Sequence, residues 1–385
     1  MKRTLTALFL IAAALFCTAC GSEPQTEESR ETTVPATEAT SPSAESAPQT
    51  LSPAESTLTS SAETSAAAAS ATEAPPAGTE SSVPETEAAT ESPVPATFVF
   101  DPYTISPEYA ALYGADFIDV YRGLADAFIN YETTCFCPDE ATFSVIFSCV
   151  DSCMPYFASD AVLTYDSFDE EAKTVTIHYL SDSKEAHDAA YANFISAVSA
   201  YISGNICEGD SDLIKAISVY RAFSSVISYD MGVMDVSAHG ALVNREGIAH
   251  GFAGAYAYLL RQVGIPAHTV GGLSTDGSAA HEWVALCLDG KWYYADPTYE
   301  NGETGGFGLS YFGTTNDERR EAGYDPANCA VGTTGSVRAS SLGADSNDFE
   351  VFRGSTDFDI FRAENELLLS NSLRTDASLL PGGAK

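Results

Sequence analysis

Residues 248–298 constrain the fold of this chain more than any other stretch. Ile248, Phe252, Ala255, Tyr256, Leu259, Leu260 and Val263 recur at helical spacing, so a helix starting near Ala249 is buried at the centre of a domain. Gly264 is placed to cap it, and Pro266 prevents continuation. Three strands follow, over 267–271, 281–288 and 291–295. Asp289-Gly290 is a two-residue hairpin turn joining the last two. If Leu288 faces Lys291, then Trp283 faces Asp296, and His281 lies two residues along on the same face. His281 and Asp296 are then diagonal neighbours, within about 8 Å at their Cα atoms. The expected class is α+β, a central helix packed on an antiparallel sheet.

Around this centre we expect a core domain over 206–345, an α+β extension over 98–205 and a tail over 346–385. In the extension, Tyr109, Leu112, Tyr113, Phe117, Val120, Tyr121, Leu124 and Phe128 form a helical stripe from Pro107 to about Glu132. Val162–Tyr165 and Thr174–Tyr179 alternate and read as a hairpin, and 188–202 reads as a helix. No motif there carries chemistry. In the core, Leu213–Tyr229 reads as an amphipathic helix, followed by a loop ending at Gly240–Val243. In the tail, 364–368 looks helical.

The N-terminal quarter has no such patterning. Lys2 and Arg3 precede an apolar run from Leu5 to Phe16, too short to anchor in a bilayer, so 1–19 reads as a signal peptide. The small residues before Cys20, with Gly21-Ser22 after it, resemble a bacterial lipobox. That resemblance implies lipidation at Cys20 and a place on the outer face of the cell membrane. Residues 21–97 hold no aromatic, lysine or aspartate, and they are rich in Ser, Thr, Glu, Ala and Pro. Such a segment buries too little apolar surface to offset its ordering entropy, so 20–97 is expected to be a disordered tether. A lipid anchor and a long tether together suit a Gram-positive cell wall.

The net charge is −36; without the tether's thirteen glutamates and without Lys2, Arg3 and Arg30, the remainder holds 41 acids and 15 bases and is still near −26. A nucleic-acid role is excluded, because phosphate binding needs a basic face. Seven cysteines lie beyond Cys20: Cys135, Cys137, Cys149, Cys153, Cys207, Cys287 and Cys329. Cys135, Cys137, Cys149 and Cys153 are enough thiols for zinc, but their spacing is not that of a known ribbon or knuckle. Buried or disulfide-bonded cysteines are the default, and no metal or cofactor is expected.

Three motifs follow one another in the core: Gly247-Ile248-Ala249-His250-Gly251-Phe252-Ala253, His281-Glu282-Trp283 and Trp292-Tyr293-Tyr294-Ala295-Asp296-Pro297-Thr298. In this order they resemble the transglutaminase-like superfamily, whose Cys, His and Asp form a papain-type triad. The resemblance covers about 211–325 and implies a papain-like fold with His281 and Asp296 as triad members. It places the nucleophile at 249, where this chain has alanine. A thiolate at a helix N-terminus is stabilised by the helix dipole and by an adjacent imidazolium; a methyl group does neither. His250 and Trp283 are the candidates to line the cleft. The expected function is therefore a surface lipoprotein without catalysis, binding a peptide, a surface protein or a cell-wall fragment. The alternatives are a hydrolase or protein-glutamine acyltransferase with a non-standard nucleophile, and a passive spacer.

Overall fold

The computed structural model describes residues 94–333 and 335–356, and the backbone of strands at 358–363, 366–371 and 378–379. The expected signal peptide, Cys20 and nearly all of the tether lie outside these residues, as does the C-terminal end from 380.

The extension begins with α1 (Pro107–Ile129), which carries a break at Gly114, where φ is 71°. It continues through α2 (Glu140–Cys153) to α3 (Lys184–Ile202), whose N-caps are Asp139 and Ser183. The expected hairpin is divided between two small sheets. β4 (Thr174–Thr176) pairs with β1 (Thr134–Phe136) and with β3 (Phe168–Asp169), whereas β5 (His178–Tyr179) pairs with β2 (Ala161–Val162). The switch falls at Ile177, which is buried and whose N–H bonds back to Thr133.

The core opens with α4 (Asp212–Ser224). This helix stops five residues before the expected end, because β6 (Ser228–Tyr229) leaves as a short strand parallel to β7 (Glu246–Gly247). Part of the expected loop is α5 (Ala238–Val243), capped by Ser237. The central helix α6 (Ala249–Gln262) follows and ends on Gly264, at φ 84°.

The main sheet is built from β8 (Ala267–Leu273), β9 (Ala280–Leu288), β10 (Lys291–Ala295), β11 (Phe312–Thr314), β12 (Ala330–Val331) and β13 (Val337–Arg338). Among the described residues its six strands run in the order β11-β10-β9-β8-β12-β13. The β9–β10 register is the expected one, Leu288 opposite Lys291 through Val284 opposite Ala295. Asp289 and Gly290 both take positive φ at the turn.

The two faces of the sheet bury different cores. Val284, Leu286 and Ala295 pack with α6 and with the extension in one large cluster. Val270, Trp283, Ala285 and Tyr294 pack with Tyr324 and Cys329 in a smaller one. The extension and the core domain thus share a single apolar interior. The last residues of the expected tether are built into the fold: Ala96 N–H donates to Ile206 O and Glu208 N–H to Val94 O, both at 2.9 Å. In the tail, Phe349 and Phe352 pack into the large core. The stretch expected to be helical instead contributes to a strand, Glu366–Asn371, paired with Phe358–Ala363. Its leucines are too few to stabilise a helix alone, and an alternating partner strand precedes them.

Candidate functional site

Extending the β9–β10 ladder by one residue brings Asp296 opposite Trp283, and His281 is next on that face. Nε2 of His281 lies 2.7 Å from Oδ2 of Asp296. Burial opposes ionisation of this carboxyl, but His281 and then Arg319 outweigh it and hold it at about 2. The carboxylate is thus an acceptor, and the ring donates through Nε2–H. Nδ1 has no hydrogen-bond partner among the described residues.

Asp296 is bound on every side. Its Oδ2 also accepts from Nη1 of Arg319 at 2.8 Å. Its Oδ1 caps α7 (Pro297–Thr304) by accepting from Tyr299 N–H at 3.1 Å. Its carbonyl accepts from the hydroxyl of Tyr220 at 3.0 Å. Beneath it, buried Glu300 accepts from Tyr311 N–H at 2.8 Å. Arg319 projects from α8 (Asn316–Glu321), whose start is fixed by a Thr315/Glu318 capping box. Its guanidinium lies over the Trp283 ring, 4.9 Å from the centroid.

His281 is only 6% exposed. The ring of Tyr299 stacks on it at 4.5 Å and 12°, and Tyr324 and Trp283 close other sides at 5.5 and 6.0 Å. Trp283 is fully buried. The expectation that it lines a cleft is corrected: period-two alternation puts it on the His281 face, and that face is covered by Tyr324 and by the segment leading into β12.

Ala249 is the first residue of α6, half-buried, at the helix N-terminus where a thiolate would gain most from the dipole. The glycines after it serve packing, since a Cβ on Gly251 would stand 2.8 Å from the carbonyl oxygen of Val236. His250 turns to two carboxylates. Its Nδ1 meets Glu282 and its Nε2 meets Asp151 of α2, each at 2.9 Å. With both nitrogens so engaged the ring is an imidazolium; the Glu282 charge, against burial and with help from Asp151, raises its pKa well above the usual value. This contact joins the start of α6 to the start of β9 and to the extension.

Two thiols share the His281 face: Cys287, six residues along β9 and about 20 Å away at strand rise, and the nearer Cys329. Gly272 pairs directly with His281 across β8 and β9, and Cys329 precedes β12 in the next row. The sulfur leans over the glycine, 2.6 Å from where its Cβ would stand. Cys329 is fully buried, and burial, with the Asp325 charge, pushes its thiol up to about 11. At neutral pH it is a protonated core cysteine. All seven cysteines are free, and no group of three or more His, Cys, Asp or Glu among the described residues is arranged to hold a metal. No helix among the described residues is long and apolar enough to cross a membrane.

Two described cavities lie away from His281. The larger, about 370 Å³, is lined by Asp230, Gly232, Val233, Met234, Asp235, Asn244 and Glu246. It adjoins α6, because Asp230 N–H donates to Gly247 O at 3.0 Å. Met231 and Met234 at its rim are 81% and 74% exposed.

Sequence reasoning missed Arg319, Tyr299 and Tyr324. The Thr315-x-x-Glu318 capping box was the one visible signal, since it locates the helix that carries Arg319.

Residues 201–297 match the family described as the transglutaminase-like superfamily. No curated protein matches. Among solved structures, a cysteine-protease candidate from Cytophaga hutchinsonii is similar at 21% identity, over 27% of this chain and 36% of its own, with a TM-score of 0.23. A TGase is similar at 14% identity, over 42% and 48%, with a TM-score of 0.25. The periplasmic domain of TgpA from Pseudomonas aeruginosa, bound to ethylmercury, is similar at 15% identity, over 36% and 68%, with a TM-score of 0.15. The chain spans less than half the length of the first two. The family match and the helix-on-sheet core together establish that this chain carries a transglutaminase-like domain of mixed helix and sheet.

Proposed function

We propose that the transglutaminase-like domain is catalytically inert and binds polypeptide or cell-wall material at the cell surface. Ala249 carries this reading. The helix N-terminus, the imidazole and the carboxylate of the family's triad are retained, and the side chain that would form the covalent bond is a methyl group. Cys329 does not replace it: the sulfur is buried and protonated, and attack on a carbonyl requires an accessible thiolate. Burial of His281 under Tyr299 supports the same reading. The binding half draws on the cavity beside Gly247, whose exposed methionines offer an adaptable apolar surface. The lipid anchor at Cys20, the tether and the extracellular location remain part of the proposal, supported by the N-terminal sequence.

The test is a turnover assay on the purified protein, with peptide amides and glutamine-donor peptides. No ammonia release and no cleavage are expected. Turnover that disappears in His281→Ala would show a working enzyme and end this reading. Binding is tested separately by calorimetry with peptidoglycan fragments and with peptides, comparing the natural protein with a Met231→Ser/Met234→Ser variant. Equal affinity in the two would remove the cavity from the proposal.

A further inference from the structure

We infer that Arg319 is a positioning residue that determines what the His281–Asp296 pair can do, by committing the Asp296 charge to a guanidinium instead of an imidazolium. The geometry is specific. Two donors, Nε2 of His281 and Nη1 of Arg319, converge on the single atom Oδ2, at 2.7 and 2.8 Å. Donors sharing one acceptor lie within about 5 Å of each other. All three groups are buried, Arg319 to 1% and Asp296 to 0% exposure, so water screens them little.

In a thiolate–imidazolium pair the carboxylate offsets the positive charge that develops on the ring. Here a permanent positive charge already occupies that carboxylate, and a second one on the ring would face it across Oδ2. The other neighbours of the ring do not compensate. Tyr299 from α7 presents its ring face, burial pushes the Tyr324 phenol and the Cys329 thiol up, and Trp283 on the same strand is apolar. The second arm of the test rests on reading 249 as the nucleophile position; the first does not.

The first arm follows the His281 ring by nitrogen-15 NMR across pH in the full-length protein, as the natural chain and as Arg319→Gln, Arg319→Met and Arg319→Lys. Removing the charge should raise the imidazolium fraction at a given pH by about tenfold or more. Arg319→Lys should return the profile towards the natural one, which a merely structural role would not do. Gln and Met are both included so that one unfolded variant does not decide the matter. A folded neutral variant whose His281 profile matches the natural protein overturns the inference.

The second arm installs a thiol with Ala249→Cys and measures its alkylation by iodoacetamide through peptide mapping. Alkylation should be slow with Arg319 present and about tenfold or more faster at pH 7 with Arg319→Gln. Equal rates combined with an unmoved NMR profile overturn the inference. Equal rates with a shifted profile support Arg319 and instead refute the placement of 249. Turnover by the natural protein would end the inert reading while leaving the NMR arm to judge Arg319.

Discussion

His281 and His250 both meet carboxylates, in opposite electrostatic surroundings. His281 is buried under aromatic rings and shares one carboxylate with Arg319. His250 is partly open to solvent and has two carboxylates to itself. The difference shows that adjacency to a carboxylate does not define a histidine's role. The number of cations competing for that carboxylate defines it. On this basis His250 is a cationic link holding the extension to the core, and His281 is one member of an Arg–Asp–His strut.

The largest effect that would break this comparison is removal of Asp296. Asp296→Ala leaves Arg319 buried and unpaired and strips the N-cap from α7, so a loss of about 3–5 kcal/mol is expected. Urea denaturation measures it, and a loss below about 1 kcal/mol would mean that the strut is not structural. The acid limb sharpens the same point. Asp296 has its carboxyl depressed to about 2 in the folded state. Its contribution is therefore present above the unfolded value near 4 and lost as pH falls towards 2, amounting to about 2–3 kcal/mol. Denaturation midpoints between pH 5 and pH 2 should show that loss in the natural protein, and a weaker one in Asp296→Asn.

His250 should behave in the opposite sense. Its folded value is raised, so its contribution is complete below the unfolded value near 6.5 and declines as pH rises through the raised one. His250→Ala should cost about 1–3 kcal/mol at pH 6, and the gap should narrow in alkali. A gap that instead widens with pH would show the ring to be bound neutral. The smallest effect provides a control. Lys291 and Asp348 form an exposed pair at 2.8 Å, and Lys291→Ala should cost less than about 1 kcal/mol.

The helix-and-hairpin centre was legible because its signals are local. Asp289-Gly290 sets the turn and period-two alternation sets the register, and together they place Asp296 beside His281. What lay outside sequence reasoning comes from distant segments. Arg319 stands in the run Asp317-Glu318-Arg319-Arg320-Glu321, whose charges carry no local sign of burial. Its burial depends on Trp283 and Asp296, more than twenty residues upstream. Trp283 was misread for the same reason, since nothing near it in sequence announces the cover supplied by Tyr324. The early end of α4 reflects β-branched and serine residues around 224–228, whose preference for extended backbone prevails over the apolar period. At the other end, Val94–Ala96 gains order only by meeting Ile206–Glu208, and composition cannot register such a partner.

The way Asp296 is embedded has a consequence for how such a site can drift. Replacing a surface-proximal thiol with alanine disturbs almost nothing around it, so that change can become established at little cost to the fold. Replacing Asp296 would unpin a helix, a guanidinium and an imidazole together. On the proposed reading of residue 249, reactivity can therefore be removed at little structural cost, whereas the acidic corner is held in place by the fold itself.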